Sequence, residues 1–190
     1  MTVGALILAA GRSTRMRGAN KLIADLGGKP VVAHVADAVA AAGMPPPVVV
    51  LGHLADDVRA AFGDRRATFV IAPDFADGLS TSLRAGLAAV PADWSAVLVC
   101  LGDMPRVDAA TLVALAAAHQ PGVIAVPVHD RQRGNPVLWD RAWFAELAAV
   151  TGDRGGKPLL ERFATHVVEV VGSAGTLADI DTPEALAALR

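Results

Sequence analysis

Four cationic side chains lie within ten residues of each other near the start of the chain, with no acidic residue among them: Arg12, Arg15, Arg17 and Lys21. An arginine can bind two phosphate oxygens at once, whereas a lysine provides a compact point charge. The residues just before them, 8–11, are Leu-Ala-Ala-Gly. Their small side chains let a ligand approach the backbone N–H groups, which favour anions. This combination predicts a site for a nucleoside triphosphate.

The alternative is a solvated loop whose cations face water. The apolar run before the loop, residues 3–8, favours the binding site, because a strand ending there would bring the loop to the carboxyl edge of a sheet. The GxGxxG dinucleotide fingerprint does not fit this segment, and the GxxxxGK[ST] phosphate loop does not fit Gly156-Lys157, which is followed by Pro158. We expect Arg15 and Lys21 to act as catalytic cations. The expected nucleotide contacts are Leu8, Ala9, Ala10, Gly11, Arg12 and Lys21.

Carboxylates in two further segments are candidates for a metal site. Asp103 follows the apolar stretch 96–101, so it would stand at the same sheet edge. Asp179 and Asp181 lie two residues apart and would face the same side of an extended segment. Mg²⁺ prefers oxygen ligands and neutralises phosphate charge, so we predict Asp103 and Asp181 as metal ligands, with Asp103 catalytic. The alternatives are a turn capped by Asp103 and a helix capped by Asp181 or Thr182.

Two other segments are candidates for substrate contacts. Ser80 and Ser82 open a predicted helix, where their hydroxyls and the free N–H groups would bind the base or a phosphate of the nucleotide. Ordinary capping of that helix is the alternative. The glycine-rich stretch 152–156 contains Arg154 and is followed by Lys157. These two cations would receive a phosphate of a second substrate, or they would simply face solvent.

The composition limits the classes of protein that this chain can be. Its 190 residues are 53% hydrophobic, which suits one domain over residues 1–190 and excludes a disordered protein. The formal net charge of −2 argues against binding to nucleic acid. The chain has one cysteine, no apolar run of about 18 residues and no basic leader. We therefore expect a cytoplasmic protein with no membrane contact and no internal disulfide.

Short apolar runs that alternate with helical patterns must position these residues. The predicted strands cover residues 3–8, 48–51, 67–71, 96–101, 123–127 and 167–171, with a shorter one at 135–138. The predicted helices cover residues 30–42, 54–62, 80–90, 108–119, 141–150, 157–163 and 183–189. This alternation predicts an α/β, Rossmann-like fold with a mostly parallel sheet and helices on both faces. Ligands would then bind beyond the carboxyl ends of the strands.

Several segments, in order along the chain, resemble those of the MobA-like family of molybdenum-cofactor nucleotidyltransferases. They are Leu8-Ala-Ala-Gly-Arg-Ser-Thr-Arg-Met16 with Asn20-Lys21-Leu22, Gly78-Leu-Ser-Thr-Ser-Leu83, Leu101-Gly-Asp-Met-Pro105, Gly134-Asn-Pro-Val137, Gly152-Asp-Arg-Gly155 and Asp179-Ile-Asp-Thr-Pro183. The Ala-Ala-Gly opening and the Ser-x-Ser-Leu segment are similar to the cytidylyltransferase branch of that family. Asn135 departs from the histidine that is common at its position.

The resemblance implies a Mg²⁺-dependent nucleotidyltransferase of Rossmann-like fold. Such an enzyme would transfer CMP from CTP to the phosphate of the molybdopterin cofactor and release pyrophosphate. Asn135, Arg154 and Lys157 would contact that second substrate, and a molybdoenzyme or its chaperone would receive the product. The residues by themselves leave open GTP or another phosphorylated acceptor, and also a non-catalytic protein that binds a nucleotide or a cofactor.

Overall fold

The computed structural model describes residues 1–14, 16, 20–153 and 155–189. The strands are β1 (Thr2–Ala9), β2 (Asp25–Leu26), β3 (Lys29–Pro30), β4 (Val48–Leu51), β5 (Thr68–Ile71), β6 (Trp94–Leu101), β7 (Ile124–His129), β8 (Gln132–Arg133), β9 (Val137–Asp140) and β10 (Val167–Val171). The α-helices are α1 (Val31–Ala41), α2 (Ala55–Ala60), α3 (Leu79–Ala88), α4 (Ala109–Ala117), α5 (Phe144–Ala148), α6 (Lys157–Arg162) and α7 (Pro183–Ala188). Short 3-10 helices cover Phe75–Asp77, Arg141–Trp143, Ala164–His166 and Ala174–Leu177. No helix in the described ranges has both the length and the apolar character needed to cross a membrane.

The main sheet has its strands in the order β10-β7-β9-β6-β1-β4-β5, with β8 paired to β7. β1 lies between β4 and β6 and runs parallel to both. The pairs β4–β5 and β7–β10 are also parallel. β9 is antiparallel to its neighbours β6 and β7, and the short β8 is antiparallel to β7. The predicted mostly parallel sheet is therefore confirmed.

Helices cover both faces of this sheet, and each face has its own apolar core. α1, α2 and α4 cover one face through Val35, Val58 and Leu115. α3 and α5 cover the other face through Leu83 and Leu147. Because the central strands are buried on both sides, they are apolar at successive positions rather than at alternate ones.

The strands at the two ends of the sheet are less buried. β5 and β10 each have a neighbour on one side only among the described strands, and their residues are half-buried or exposed. In β10, Val168 and Val171 are exposed, although this strand is nearly as apolar as the central ones. Apolar composition alone therefore does not separate an edge strand from a central one.

Most predicted elements are present within a few residues of their predicted bounds, but two differ and one hairpin was not predicted. The predicted helix at 141–150 is a 3-10 turn followed by the short α5. The predicted strand at 135–138 is β9, which starts after the cis peptide bond between Asn135 and Pro136. The hairpin formed by β2 and β3 escapes the prediction because each strand has two residues. Its turn is Gly27-Gly28, with φ values of 63° and 87°. A Gly-Gly pair is the sequence feature that could have predicted a hairpin here, because two-residue hairpin turns need positive φ values.

Candidate active site

The ends of β1 and β6 bring the two main sequence candidates together. The two strands are parallel neighbours, with Leu8 opposite Leu101 in the register. The loops that follow therefore leave the same edge of the sheet, and the Gly102 N–H donates to the Leu8 carbonyl at 2.9 Å. Lys21 reaches this edge on the first loop and Asp103 on the second, where the two side chains form an ion pair.

Asp181 reaches the same place from the segment that precedes α7. The segment is anchored at Ile180, which is fully buried and donates its N–H to the Asp103 carbonyl at 2.9 Å. Thr182 is the cap of α7, and its hydroxyl accepts a backbone N–H of the first turn at 3.1 Å. Asp181 is therefore not the cap of this helix, and its carboxylate binds Lys21 instead.

The Lys21 ammonium lies between two carboxylates, and we call Lys21, Asp103 and Asp181 the Lys21 cluster. Nζ is 2.5 Å from Oδ2 of Asp103 and 2.6 Å from Oδ1 of Asp181. The side chains of Lys21 and Asp103 are only 12% and 18% exposed, whereas that of Asp181 is 40% exposed. Oδ1 of Asp103 is buried and has no hydrogen-bond partner on another residue of the described chain.

Burial and charge act against each other within the Lys21 cluster. Burial lowers the pKa of Lys21, but the Asp103 and Asp181 carboxylates outweigh this effect and hold the pKa above its ordinary value. Burial raises the pKa of Asp103, and the Lys21 ammonium opposes that rise without cancelling it. The ammonium is thus the group that makes a buried carboxylate tolerable at this position.

A small polar network holds the backbone at Lys21. The Lys21 N–H donates to Oγ of Ser13 at 3.1 Å, and the Ser13 hydroxyl donates to Oδ1 of Asn20 at 3.3 Å. The same Asn20 oxygen accepts the Leu22 N–H at 2.9 Å. Ser13 has a φ of 51°, a left-handed conformation that is uncommon for residues other than glycine. Ser13 and Asn20 are absent from the predicted site residues, although both lie in the segment that carries the family resemblance.

A cavity of about 420 Å³ opens beside the Lys21 cluster, and we call it the first cavity. Its wall contains most of the predicted nucleotide contacts and both predicted metal ligands: Leu8, Ala10, Gly11, Arg12, Lys21, Ser82, Asp103 and Asp181. It also contains residues that the sequence reasoning missed, among them Ser13, Thr14, Phe75, Gly78, Leu79 and Asp153. The predicted Arg15 lies outside the described residues.

Two of the predicted nucleotide contacts, Ala9 and Ser80, lie away from the wall of the first cavity. The Ala9 side chain is fully buried in the core, because side chains alternate along a strand and Leu8 and Ala10 face the other side. Ser80 is 3% exposed, and its N–H donates to the Gly152 carbonyl at 3.1 Å. Both side chains are buried, so a contact of either residue with the nucleotide stays a prediction.

The start of α3 is held by the glycine-rich loop rather than by its own serines. Gly78 occupies the cap position, and Oδ1 of Asp153 accepts the Leu79 N–H at 3.2 Å. Gly78 has a φ of 121°, and a Cβ there would lie 2.8 Å from the same oxygen. Ser82 is 3% exposed and lines the first cavity, so it remains a candidate for contact with a nucleotide.

A second cavity, of about 450 Å³, adjoins the first. Both cavities are lined by the same three leucines: Leu8, Leu79 and Leu101. Asn135 and Lys157, which were predicted to contact a second substrate, line the second cavity. Arg154 lies outside the described residues.

The second cavity combines cationic and apolar lining. Arg133, which the sequence reasoning missed, joins Lys157 in its wall, and one carboxylate, Glu161, is also present. Trp139, Val137 and several leucines provide the apolar part. This lining suits an anionic molecule that has a sizeable apolar or planar body.

Residues 5–169 match the family model of the MobA-like NTP transferase domain. The chain belongs to the MobA-like NTP transferase family. Among curated relatives of this MobA-like NTP transferase, the bifunctional protein GlmU of Kineococcus radiotolerans is 41% identical over 150 residues, which are 77% of the chain and 30% of that relative. The GlmU of Leifsonia xyli is 38% identical over 126 residues, or 65% of the chain and 26% of the relative. The chain therefore spans less than a third of the length of these two relatives.

Solved structures resemble this MobA-like NTP transferase over its whole length. Rv0371c from Mycobacterium tuberculosis is 30% identical with a TM-score of 0.89, covering 100% of this chain and 97% of that one. A structure of Rv0371c in complex with manganese is 29% identical with a TM-score of 0.83, covering 100% and 98%. A nucleotidyl transferase from Methanothermobacter, 24% identical with a TM-score of 0.88 over 100% and 96% of the two chains, shares the fold. The predicted Rossmann-like nucleotidyltransferase fold is confirmed.

Proposed function

We propose that this MobA-like NTP transferase transfers CMP from CTP to the terminal phosphate of the molybdopterin cofactor and releases pyrophosphate. The observation that carries the proposal is the Lys21 cluster in the wall of the first cavity, which shares the lining residues Leu8, Leu79 and Leu101 with the second cavity. Each cavity has room for one substrate, and a cation stands with two carboxylates where the substrates would meet. The product would pass to a molybdoenzyme or to its chaperone.

The triphosphate would lie in the first cavity. Lys21 and Arg12 line this cavity and supply positive charge, and Gly11 lets the phosphates approach the backbone. Arg15, predicted from the sequence, would add a third cation. Ser82 and the residues that start α3 would contact the remainder of the nucleotide.

Asp103 and Asp181 would hold a divalent cation, Mg²⁺ in our proposal. Two carboxylates offer the oxygen ligands that this ion prefers, and the buried Oδ1 of Asp103 has no partner on another described residue, so the site fits a metal. No group of three or more His, Cys, Asp or Glu side chains suited to a metal is found within the described ranges, so the substrates would complete the coordination. The structure of Rv0371c in complex with manganese, which this chain resembles, supports the proposal of a divalent ion. When bound, the ion would neutralise charge on the reacting phosphates.

The acceptor would lie in the second cavity, with its phosphate directed towards the Lys21 cluster. One oxygen of that phosphate attacks the α-phosphorus of CTP, and the bond from the α-phosphorus to the oxygen that bridges to the β-phosphate breaks. Pyrophosphate leaves with the electron pair of that bond. The protein supplies no nucleophile, so its residues contribute positioning and charge stabilisation. Arg133, Lys157 and Asn135 would hold the acceptor in place.

The choice of CTP and of a pterin acceptor rests on the resemblance of the Ala-Ala-Gly opening, the Ser-x-Ser-Leu segment and the Gly-Asp-Met-Pro segment to the cytidylyltransferase branch. The mixed cationic and apolar lining of the second cavity supports a phosphorylated acceptor with a planar body. GTP and a different phosphorylated acceptor are the alternatives within the same chemistry.

Pyrophosphate release tests the proposal. The purified protein is incubated with Mg²⁺, with CTP, GTP, UTP or ATP, and with molybdopterin cofactor or a sugar phosphate. Release with CTP and the cofactor, lost in EDTA, is the expected result. Turnover of GTP without turnover of CTP would contradict the cytidylyl assignment, and turnover only with a sugar phosphate would contradict the acceptor. Nucleotide binding without release in any combination would indicate a non-catalytic binding protein.

A further inference from the structure

The position of the Lys21 ammonium has a consequence for metal binding. Nζ is 2.5 Å from one carboxylate and 2.6 Å from the other, so it already acts as the cation of this site. We propose that Lys21 is an internal counter-ion that competes with the divalent cation for Asp103 and Asp181, and that a bound triphosphate relieves this competition by drawing the ammonium away. This inference rests on the proposed function, because it takes these carboxylates as the metal ligands.

The charges of the Lys21 cluster indicate that the ammonium and a divalent cation would compete for the two carboxylates. The ammonium places one positive charge directly beside both carboxylates, so it weakens their attraction for an incoming divalent ion and also repels that ion. At an effective dielectric constant of about 20, repulsion between a single and a double charge about 4 Å apart far exceeds the free energy of a tenfold change in affinity. Screening and movement of Lys21 reduce this effect but leave its sign unchanged.

The surroundings of Lys21 provide the alternative place for its ammonium. The side chain lines the first cavity, where the proposal puts the triphosphate. A lysine has a flexible four-carbon stem, so Nζ can turn from a carboxylate to a phosphate while the backbone stays fixed. The backbone is fixed by the N–H of Lys21, which donates to Oγ of Ser13 at 3.1 Å. Metal and nucleotide would therefore bind cooperatively without any movement of the fold.

Direct binding of Mn²⁺ in the absence of nucleotide tests this inference. Free Mn²⁺ is measured by electron paramagnetic resonance while the metal is added to wild type, to Lys21→Met and to the control Lys29→Met. Lys29 is a good control because its Nζ also lies 2.5 Å from a carboxylate, Oδ2 of Asp37, but outside the Lys21 cluster. We expect Lys21→Met to bind Mn²⁺ at least about tenfold more tightly than wild type, a difference of about 1.4 kcal/mol. Lys29→Met should bind Mn²⁺ as wild type does.

A variant of the metal ligand separates the inference from the proposed function. If Asp103→Asn abolishes Mn²⁺ binding while Lys21→Met leaves the affinity unchanged or lowers it, the metal site stands and the counter-ion role is overturned. If Asp103→Asn binds Mn²⁺ as wild type does, the carboxylates are not the metal ligands, and both ideas fail. The double variant Lys21→Met/Asp103→Asn should lose the gain that Lys21→Met produces.

A second variant guards against misfolding. Removal of the ammonium takes away the positive charge beside the mostly buried Asp103, so Lys21→Met is expected to be less stable in the absence of metal. Lys21→Gln is neutral but still donates hydrogen bonds to a carboxylate, and it should also bind Mn²⁺ more tightly than wild type. In thermal unfolding, Mn²⁺ should raise the Tm of both variants more than that of wild type, because a ligand stabilises a protein according to its affinity. Equal rises in Tm would overturn the inference.

Discussion

Asn20 is a buried residue whose side-chain oxygen accepts two hydrogen bonds in the loop that carries Lys21. Its side-chain oxygen accepts the Ser13 hydroxyl at 3.3 Å and the Leu22 N–H at 2.9 Å, and the residue is 4% exposed. Asn20→Ala removes this acceptor from both donors at once. Because Leu22 is 3% exposed, water has little access to replace the lost partner of its N–H.

The size of the effect follows from these contacts. A buried neutral donor left without an acceptor costs about 1–3 kcal/mol. The Ser13 hydroxyl is only half-buried, so it can turn to solvent and adds little. We therefore expect Asn20→Ala to lower the free energy of unfolding by about 2 kcal/mol. With a typical urea m-value of about 2 kcal/mol/M, the unfolding midpoint would fall by about 1 M.

The same change should weaken nucleotide binding. Ser13, which has a left-handed backbone, would lose its hydrogen bond to Asn20. Its side-chain oxygen, which accepts the Lys21 N–H, would then be held less firmly. Ordering one additional residue on binding costs about 1–2 kcal/mol, so the Kd for the nucleotide should rise about tenfold.

Urea denaturation and isothermal titration with nucleotide measure the two effects of Asn20→Ala. Gln120→Ala is the control, because it deletes an amide side chain at an exposed position. A wild-type midpoint together with a wild-type Kd in Asn20→Ala would refute the reasoning. A lowered midpoint with an unchanged Kd would show that Asn20 supports the fold but does not position the loop for the nucleotide.

Three further predictions concern the metal site, the second cavity and acid stability. Asp103→Asn should abolish Mg²⁺-dependent pyrophosphate release while circular dichroism shows a folded protein, and Asp93→Asn, an exposed carboxylate before β6, should be fully active. In Gly134→Ala a Cβ would lie 2.3 Å from the Thr176 carbonyl oxygen, so the KM for the acceptor should rise in initial-rate assays while the Kd for the nucleotide stays the same. A hydrogen bond from Arg65 is the main cause that lowers the pKa of Asp37 from 3.8 to about 2. The ionised carboxylate therefore contributes its full stabilisation of the fold at pH values above its usual pKa. That contribution should disappear as the pH falls towards 2, and Asp37→Asn should flatten the fall of the urea midpoint over this range.

The chemistry of the site was predictable where charged residues follow apolar strands. Lys21 and Asp103 come after β1 and β6, and the rule that ligands bind at the carboxyl edge of a parallel sheet is enough to bring them together. The contact between Lys21 and Asp181 joins residues 160 positions apart. No local pattern specifies that contact, and the preference for Asp181 over Asp179 as a metal ligand stays a prediction.

Other parts of the structure were beyond local patterns for physical reasons. Ser13 and Asn20 lie in a loop, where polar residues carry no periodicity that would separate a buried acceptor from a solvated one. The reversal of β9 between β6 and β7 depends on which strand pairs with which, and the four residues Val-Leu-Trp-Asp contain no information on direction. The burial of the Ala9 and Ser80 side chains was also not predictable, because a motif names consecutive residues, whereas a strand or a helix exposes only some of their side chains.

The exposed edge strand β10 is a place where a second copy of this chain could pair with the sheet. Its sequence is Val-Val-Glu-Val-Val. With an apolar residue in place of the central glutamate, this open strand edge of β-branched side chains would be a template for pairing with another chain. Glu169 places a charge in the middle of that edge and pairs with Arg133 at 2.9 Å, and we expect this charge to oppose aggregation. Glu169→Val would create five successive valines along the edge, and light scattering of the folded protein should then rise with concentration. We therefore expect Glu169, the ion-pair partner of Arg133 in the wall of the second cavity, to affect the solubility of the whole chain.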